Sequence, residues 1–486
     1  MRDVLVFSLI LLSLPWCFRR PFFGLLMFTG LAYFRPQDLC WGFARTMRFS
    51  LYVGVTMFAG YFAVEAGRRP FFRRDLRTVG MILLLVITLI STVPAEVVDE
   101  YVISGLFEFT VIIAVALFSS GQLDSRQRLR LLLWCIALGL GFYGIKGGIF
   151  GLLGGRSIHQ GPGGMMKDNN DFALAMAMVV PMLWHLGASE KNPLIKRFAH
   201  VATGLTCLTV LLTHSRGGFL SMIVAWLFIA YRSRKLVQVV LTGTVMTVVF
   251  MQVVPQSVFE RLSTIQEAAE GEGDSSVEGR LRAWMIGMRM VRHNPVLGVG
   301  HKNFRQHYER HALALFPGGV ESKRVAHNSY VQIWAETGTP AFLIFIIVLL
   351  STFPLMGRVR KMARGDPELG WAVRYANLIE ASLAAFVVGG FFLNRGHFDL
   401  SYHLIGIGVG LVWVVRSEVL SRASGAPVRD DASASSRTRL RWRPVTDGPG
   451  ELSPWDRREP LPACFDRLPA AGGSGSDGRP ERGRTW

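Results

Sequence analysis

The sequence predicts an all-α polytopic membrane protein, which crosses its bilayer many times. Half of its 486 residues are hydrophobic and only 18% are charged, against roughly a quarter in an average soluble domain. The apolar residues form long blocks that recur as far as about Val415. Each block approaches the roughly 20 residues that a helix needs to cross a hydrocarbon core. Because backbone groups in lipid must be paired within their own segment, we expect helices. The strands of a barrel would instead be short and alternating.

The predicted spans follow one another with short polar separators. In chain order they centre on residues 4–18, 21–34, 49–65, 78–94, 102–118, 131–150, 171–187, 200–213, 218–231, 236–253, 341–357, 378–393 and 401–415. Only Arg19 and Arg20 separate the first two, which can therefore form one tight hairpin. We expect about 12–13 transmembrane helices in total. The first block lacks a small-residue cleavage site, which favours a retained helix over a removed signal peptide.

The net charge of +18 would suggest a nucleic-acid partner in a soluble protein. Here the basic residues follow every second span, whereas Glu96, Asp99 and Glu100 lie in a loop of the other set. Cytoplasmic loops of membrane proteins are enriched in Lys and Arg, so the basic loops and the C-terminus are predicted to be cytoplasmic. The charge therefore reports topology, and we expect membrane lipids and no nucleic acid as partners.

Two stretches depart from the pattern of spans. Residues 255–340, inserted in a transmembrane domain of residues 1–420, form a large non-cytoplasmic loop. Leu281, Trp284 and Met288 share a helical face there, which indicates a helical lid on the outer surface. Residues 421–486 are rich in Arg, Ser, Pro and Gly and predict a disordered cytoplasmic tail.

Four polar clusters are predicted to lie on the outer side of the membrane. They are KDNND at 167–171, HSRGG at 214–218, GRLRAW followed by HNPVLGVGHKNF in the large loop, and AHNSYVQIWAETG at 326–338. Five cysteines show neither CxxC nor metal-ligand spacing, so we expect no metal site and no cofactor.

Arg216 is the first candidate, because an arginine in a short outer turn runs against the positive-inside bias. Its planar fork matches phosphate oxygens. Gly217 and Gly218 leave the backbone uncovered, and the positive end of the next helix lies at the same point. These features predict a diphosphate anchor. The alternative is an arginine that caps the preceding helix while its head reaches water.

Other ionisable residues are open to two interpretations. His327 precedes a span and suits proton transfer near neutral pH, or else only forms hydrogen bonds in its loop. Arg280, on an amphipathic helix, is by itself a solvated charge. Glu108 and Glu380 lie in predicted spans, where carboxylates are functional candidates or structural partners of Lys146 or of backbone groups.

The order HSRGG, GRLRAW…HNPVLGVGHKNF, HNSYVQIWAETG resembles the core of the bacterial O-antigen ligase and polymerase superfamily. The RPQD and KDNNDFALAM segments are similar to those of the probable O-glycosylation ligases associated with the exosortase A system. The resemblance covers about residues 1–415. Gly338 fits the ligase pattern, whereas Ala341 stands where ligases have Gly, Thr or Tyr.

The resemblance implies roles for the candidate residues. Arg216 would grip the diphosphate of an undecaprenyl-diphosphate-linked glycan donor, with Arg280 as a second contact, and His327 would be the base for the acceptor hydroxyl. The remaining residues expected at the donor site are Ser215, Gly217, Lys167, Asn169 and Asn328.

The implied function is glycan transfer at the periplasmic face of the bacterial inner membrane, without metal or nucleotide. The acceptor would be a protein, a lipid or another glycan. A glycan polymerase of the same superfamily and a non-catalytic polysaccharide transporter are the alternatives. Transporters often have paired repeats with broken helices near the midplane, and the sequence shows no such repeat.

Overall fold

A computed structural model describes residues 1–233, 275–316 and 324–423 of the chain. In these ranges the regular structure is helical, apart from one isolated bridge between Gln160 and Asp168. The α-helices are α1 Arg2–Arg19, α2 Pro21–Tyr33, α3 Phe49–Gly60, α4 Leu76–Thr92, α5 Glu100–Gln122, α6 Arg126–Leu152, α7 Asn169–Ser189, α8 Pro193–Leu212, α9 Arg216–Ser233, α10 Ser275–His293, α11 Phe304–Leu313, α12 Ser329–Met362, α13 Gly370–Gly389 and α14 Asp399–Ala423.

The structure confirms a polytopic all-α membrane protein. Seven of the described helices are long and apolar enough to cross a membrane, namely α5, α6, α7, α8, α12, α13 with its preceding turn, and α14. Three further apolar helices are shorter, at Pro21–Tyr33, Phe49–Glu65 and Leu76–Thr92. The total of about 12–13 spans remains a prediction. The span at 236–253 and most of the tail at 421–486 lie outside the described residues.

Side-chain caps start several of the long helices. Asp99 accepts a hydrogen bond from the backbone N–H of Val102 at 2.9 Å, and Asp168 accepts one from Asn170 at 2.8 Å. Such caps satisfy backbone donors that have no partner within the helix. Polar residues at the ends of apolar blocks therefore fix where α5 and α7 begin.

Helix α7 lies at the centre of the apolar core. Every residue from Asp171 to Leu183 is buried, including small alanines that let neighbouring helices approach. Glycine has the same effect between α6 and α8, where a Cβ on Gly144 would lie 2.3 Å from Thr206 Oγ1. The Thr209 hydroxyl donates to the Gly144 carbonyl at 2.5 Å.

The predicted cytoplasmic loops meet at one end of the helices, here called the basic end. Arg130 binds Glu190 there through both carboxylate oxygens, at 2.9 and 2.7 Å. Buried Glu380 of α13 accepts bonds from Arg232 of α9 and Arg360 of α12, at 2.7 to 3.0 Å. These three residues are called the ion triad. Glu380 thus has structural ion partners, as one of the two interpretations expected. These partners are Arg232 and Arg360, and not Lys146.

Helix α12 begins earlier than the hydropathy predicts, at Ser329 instead of near residue 341. It is broken at Gly338, whose φ is 80°. The preceding loop fills the break, with the N–H groups of Val299 and Gly300 donating to the carbonyls of Ala335 and Glu336, both at 2.9 Å. The first part of α12 is therefore held by the loop that precedes α11.

Helices form in the described residues of the large loop, as predicted, namely α10 and α11. That the loop is a lid on the outer surface stays a prediction. The face that α10 buries differs from the expected one. Leu281, Met285 and Met288 are exposed, and the buried residues are Ala283, Ile286, Gly287, Met290 and Val291. A Cβ on Gly287 would lie 2.5 Å from Val331 Cγ1, so the absence of a side chain brings α10 against α12.

Candidate functional site

Arg216 is the first residue of α9 and its side chain is exposed. The turn before it is tight, with His214 in the left-handed region at a φ of 54°. Ser215 is buried, and its hydroxyl accepts a bond from the Gly218 N–H at 3.2 Å. The turn thus presents Arg216 where the helix dipole is positive, which favours a bound anion.

The two glycines after Arg216 serve packing. Both are buried, so the expectation that they leave the backbone uncovered is wrong. A Cβ on Gly217 would lie 2.8 Å from Phe392 Cβ, and one on Gly218 would lie 2.3 Å from Ala173 Cβ. Close contact of the Arg216 turn with its neighbours therefore requires glycine at both positions.

The KDNND segment joins two parts of the site. The Asn169 amide donates to the Thr213 carbonyl in the Arg216 turn at 3.0 Å. Buried Asp171, in the first turn of α7, forms an ion pair with Arg395. Lys167 is exposed immediately before the helix. Asn169 therefore holds the Arg216 turn in this fold, and its contact with a donor stays a prediction.

His327 is exposed and has a φ of 46°, so its backbone lies in the left-handed region. Buried Asn328 caps α12, since its side-chain oxygen accepts from the N–H groups of Tyr330 and Val331 at 2.9 and 3.1 Å. The Ser329 N–H donates to the Gly390 carbonyl at 2.7 Å. The segment that carries His327 is thus tied to the loop between α13 and α14.

The lid helix α10 approaches the same segment. The Trp284 indole N–H donates to the Ala326 carbonyl at 2.9 Å. A Cβ on Gly279 would lie 2.1 Å from Arg324 Nη1, so this guanidinium covers the start of the helix. Arg280 follows Gly279 and lies close enough to His327 for its charge to act on the imidazole.

The pKa of His327 is lower than the ordinary value of 6.5, first because its surroundings desolvate it. The positive charge of Arg280 lowers the pKa further, that of Arg324 acts in the same direction, and Asp168 opposes them. The imidazole is therefore neutral at neutral pH and can accept a proton. The structure brings His327, Arg280 and Asp168 into one electrostatic neighbourhood.

The loop from Gly390 to Phe398, here called the bridging loop, joins the two halves of the site. Phe392 packs against Gly217, while the backbone N–H of Arg395 donates to the Ser329 hydroxyl at 2.9 Å. Arg395 was not among the predicted site residues, although in the predicted topology it is, like Arg216, an arginine on the outer side that runs against the positive-inside bias.

Glu108 has a partner other than Lys146. Lys302 Nζ lies 3.8 Å from a carboxylate oxygen of Glu108, and it also lies over the Tyr101 ring, 4.4 Å from its centroid. Glu108 thus helps to hold the loop before α11 against α5.

Comparison with known families matches two parts of the chain. Residues 201–346, which carry Arg216, Arg280 and His327, match the family described as O-antigen ligase. Residues 1–188, which carry the RPQD and KDNND segments, match a family of unknown function. No curated protein matches the chain. This multi-pass membrane protein therefore contains, at residues 201–346, a region similar to the O-antigen ligases.

Proposed function

We propose that the protein is a glycan ligase of the bacterial inner membrane that acts at the periplasmic face. It transfers an oligosaccharide or polysaccharide from an undecaprenyl-diphosphate donor to an acceptor hydroxyl. The observation that carries this proposal is the position of His327 directly before the Asn328 cap of α12, near enough to Arg280 for that charge to lower the pKa of the imidazole, inside the region that matches the O-antigen ligases. Arg216 adds a second cation at a helix N-terminus.

The reaction follows from the chemistry of these groups. The acceptor oxygen forms a bond to the anomeric carbon of the donor, while the bond between that carbon and the diphosphate oxygen breaks. His327 takes the hydroxyl proton, and Arg216 and Arg280 stabilise the negative charge that develops on the leaving diphosphate. The diphosphate is released on its lipid, and neither a metal nor a nucleotide takes part.

A finer assignment, to the O-glycosylation ligases associated with the exosortase A system, draws support from the N-terminal segment. Arg35 forms an ion pair with Asp38 of RPQD at 2.5 Å. A Cβ on Gly164, just before KDNND, would lie 2.4 Å from Arg35 Nη1. The two segments that carry this resemblance therefore pack together beside the candidate site.

The proposal is tested by transfer with the purified full-length chain, a lipid-diphosphate-linked glycan and a candidate acceptor. Arg216→Ala is expected to lower transfer by about 100-fold or more, because a cation at the leaving group is lost. Arg216→Lys should restore little, because a point charge lacks the bidentate fork. Arg310→Ala, at an exposed position of α11, is the matched control and should retain activity.

Analysis of the products distinguishes the neighbouring functions. A ligase attaches preformed chains of unchanged length to a carrier, whereas a polymerase lengthens chains that remain on the lipid. Transfer at the wild-type rate by both Arg216 variants would refute the assigned donor site, and longer chains without a new carrier would show a polymerase.

A further inference from the structure

The bridging loop touches both parts of the candidate site. At one point Phe392 fills the space beside Gly217, next to Arg216. At the other, the Ser329 hydroxyl donates to the Leu393 carbonyl at 2.8 Å and accepts from the Arg395 N–H. Ser329 lies two residues after His327. The loop that carries Arg395 therefore lies between the turn of the first arginine and the segment of the proposed base.

The Arg395 guanidinium has a fixed place in this loop. Its Nη2 donates to buried Asp171, whose side chain is 8% exposed, whereas the Arg395 side chain is 28% exposed. Within the described residues this is the contact that the guanidinium makes through its N–H groups. An arginine has further N–H donors in the same plane. One edge is thus held by a carboxylate while other donors are left for a ligand.

Stability alone accounts poorly for this ion pair. Replacing a buried ion pair by well-packed apolar residues is often neutral or stabilising. An outer-loop arginine also runs against the charge bias of membrane proteins. The carboxylate of Asp171 belongs to the segment in which Asn169 already holds the Arg216 turn. One helix end therefore positions two outer arginines.

We propose that Arg395 is a third cation of the donor site, which binds diphosphate oxygens together with Arg216 and Arg280, and that Asp171 is its positioning residue. This inference rests on the proposed function and adds to it a residue outside the region that matches the O-antigen ligases. Each non-bridging oxygen of a lipid diphosphate can accept more than one hydrogen bond, so a third fork still has acceptor sites to bind.

The test measures the affinity of the purified full-length protein for undecaprenyl diphosphate by titration calorimetry. Thermal unfolding of the same variants measures their stability. Arg395→Met is expected to weaken binding by about 10-fold or more, in line with loss of a charged hydrogen bond. Because it leaves Asp171 buried without its cation, this variant should also unfold at a lower temperature.

Two further variants separate binding from folding. The double variant Arg395→Met/Asp171→Asn removes the uncompensated charge, so its melting temperature should recover while the affinity stays low. Arg395→Lys keeps the ion pair and should still bind about 10-fold more weakly, because it lacks the fork. Arg310→Ala serves as the control for loss of an outer positive charge.

Wild-type affinity in both the double variant and Arg395→Lys would overturn the inference and leave Arg395 a structural residue. Arg216→Ala, measured in parallel, tests the underlying function. If that variant also binds with wild-type affinity, the proposed donor site itself fails, whereas loss of binding in Arg216→Ala alone refutes only the role of Arg395.

Discussion

His327 has a backbone conformation that an L-amino acid adopts only at a cost. Its φ of 46° lies in the left-handed region, which costs on the order of 1 kcal/mol or more. The neighbours on both sides fix it there, since Trp284 binds the Ala326 carbonyl and Asn328 caps α12. The imidazole is therefore held in place from its backbone, while its side chain remains exposed.

The pH dependence of transfer tests the role of His327. A general base must be neutral, and the pKa of this imidazole is lower than 6.5. Wild-type activity should thus persist through neutral pH and fall as the pH drops through that lowered pKa. His327→Gln should lose about 100-fold in rate, because an amide cannot accept the proton.

The matched control is His293→Gln, at the exposed end of α10 in the same lid. This variant should keep the wild-type rate and the wild-type loss of activity at low pH. Donor affinity should change little in His327→Gln, since the arginines hold the diphosphate. If His327→Gln had the wild-type rate and lost activity at low pH in the same way, a group other than His327 would be responsible for the pH dependence.

At the residue scale the sequence predicted Arg216, Arg280 and His327 as candidates. The structure places Arg280 near His327, and the roles of all three residues stay predictions. The sequence did not predict the pair of Asp171 and Arg395, because these residues are 224 positions apart and meet only through folding. Arg395 without its partner could have been predicted as a candidate, by the charge-bias argument used for Arg216. Asn328 was predicted to bind the donor, but in the structure its side chain caps α12. The sequence cannot separate these two roles, because asparagine is suited to both.

The broken helix α12 is the element that connects the lid to the membrane core. Its first part carries the buried polar residues Gln332, Glu336 and Thr337, which hydropathy assigns to a loop. They are helical because the lid supplies their surroundings, including backbone N–H groups from Val299 and Gly300. The start of α12 was therefore beyond prediction from apolar periodicity, whereas its long second part was found correctly.

Gly338→Ala tests this connection. The substitution places a Cβ 2.1 Å from the Val296 carbonyl oxygen, in addition to the cost of a left-handed alanine at a φ of 80°. We expect a large loss of thermal stability, and of transfer, as the outer loop separates from the break. Thermal unfolding and the transfer assay measure the two effects.

Gly365→Ala is the control for conformation alone. Gly365 has a φ of 86°, and no described atom lies within 4 Å of the added Cβ, leaving its two chain neighbours aside. It should lose only the roughly 1–2 kcal/mol of a left-handed alanine. Equal losses of stability in the two variants would show that the Val296 contact contributes nothing.

At the scale of the whole molecule, the contacts separate two ends. At the basic end, an ion pair of Arg69 with Asp124 joins two loops, and one of Arg422 with Asp366 joins α14 to the loop before α13. The opposite end holds the candidate site, where Asn303 bonds twice to the backbone of Val97. The alternation of basic loops predicted this division, because charge bias depends on topology and not on tertiary contacts.

Cysteine labelling decides which end faces the periplasm. In a background without the five native cysteines, Ala314→Cys in the lid should react with an impermeant thiol reagent in intact cells. Lys191→Cys, in the loop between α7 and α8, should react only after permeabilisation. The reverse pattern would place Arg216 in the cytoplasm and exclude periplasmic transfer.

The ion triad determines which movements are open to the site. Arg232, Glu380 and Arg360 belong to α9, α13 and α12, and each of these helices carries part of the candidate site near its opposite end. Sliding one helix along another would pull a bidentate ion pair apart in a buried place, which is costly. Tilting of the helices about the triad leaves those bonds intact. It moves the opposite ends of the helices by an amount that grows with their distance from the triad. The candidate site could therefore widen for the bulky acceptor of the proposed reaction when the helices tilt, while the ion triad at the basic end stays in place.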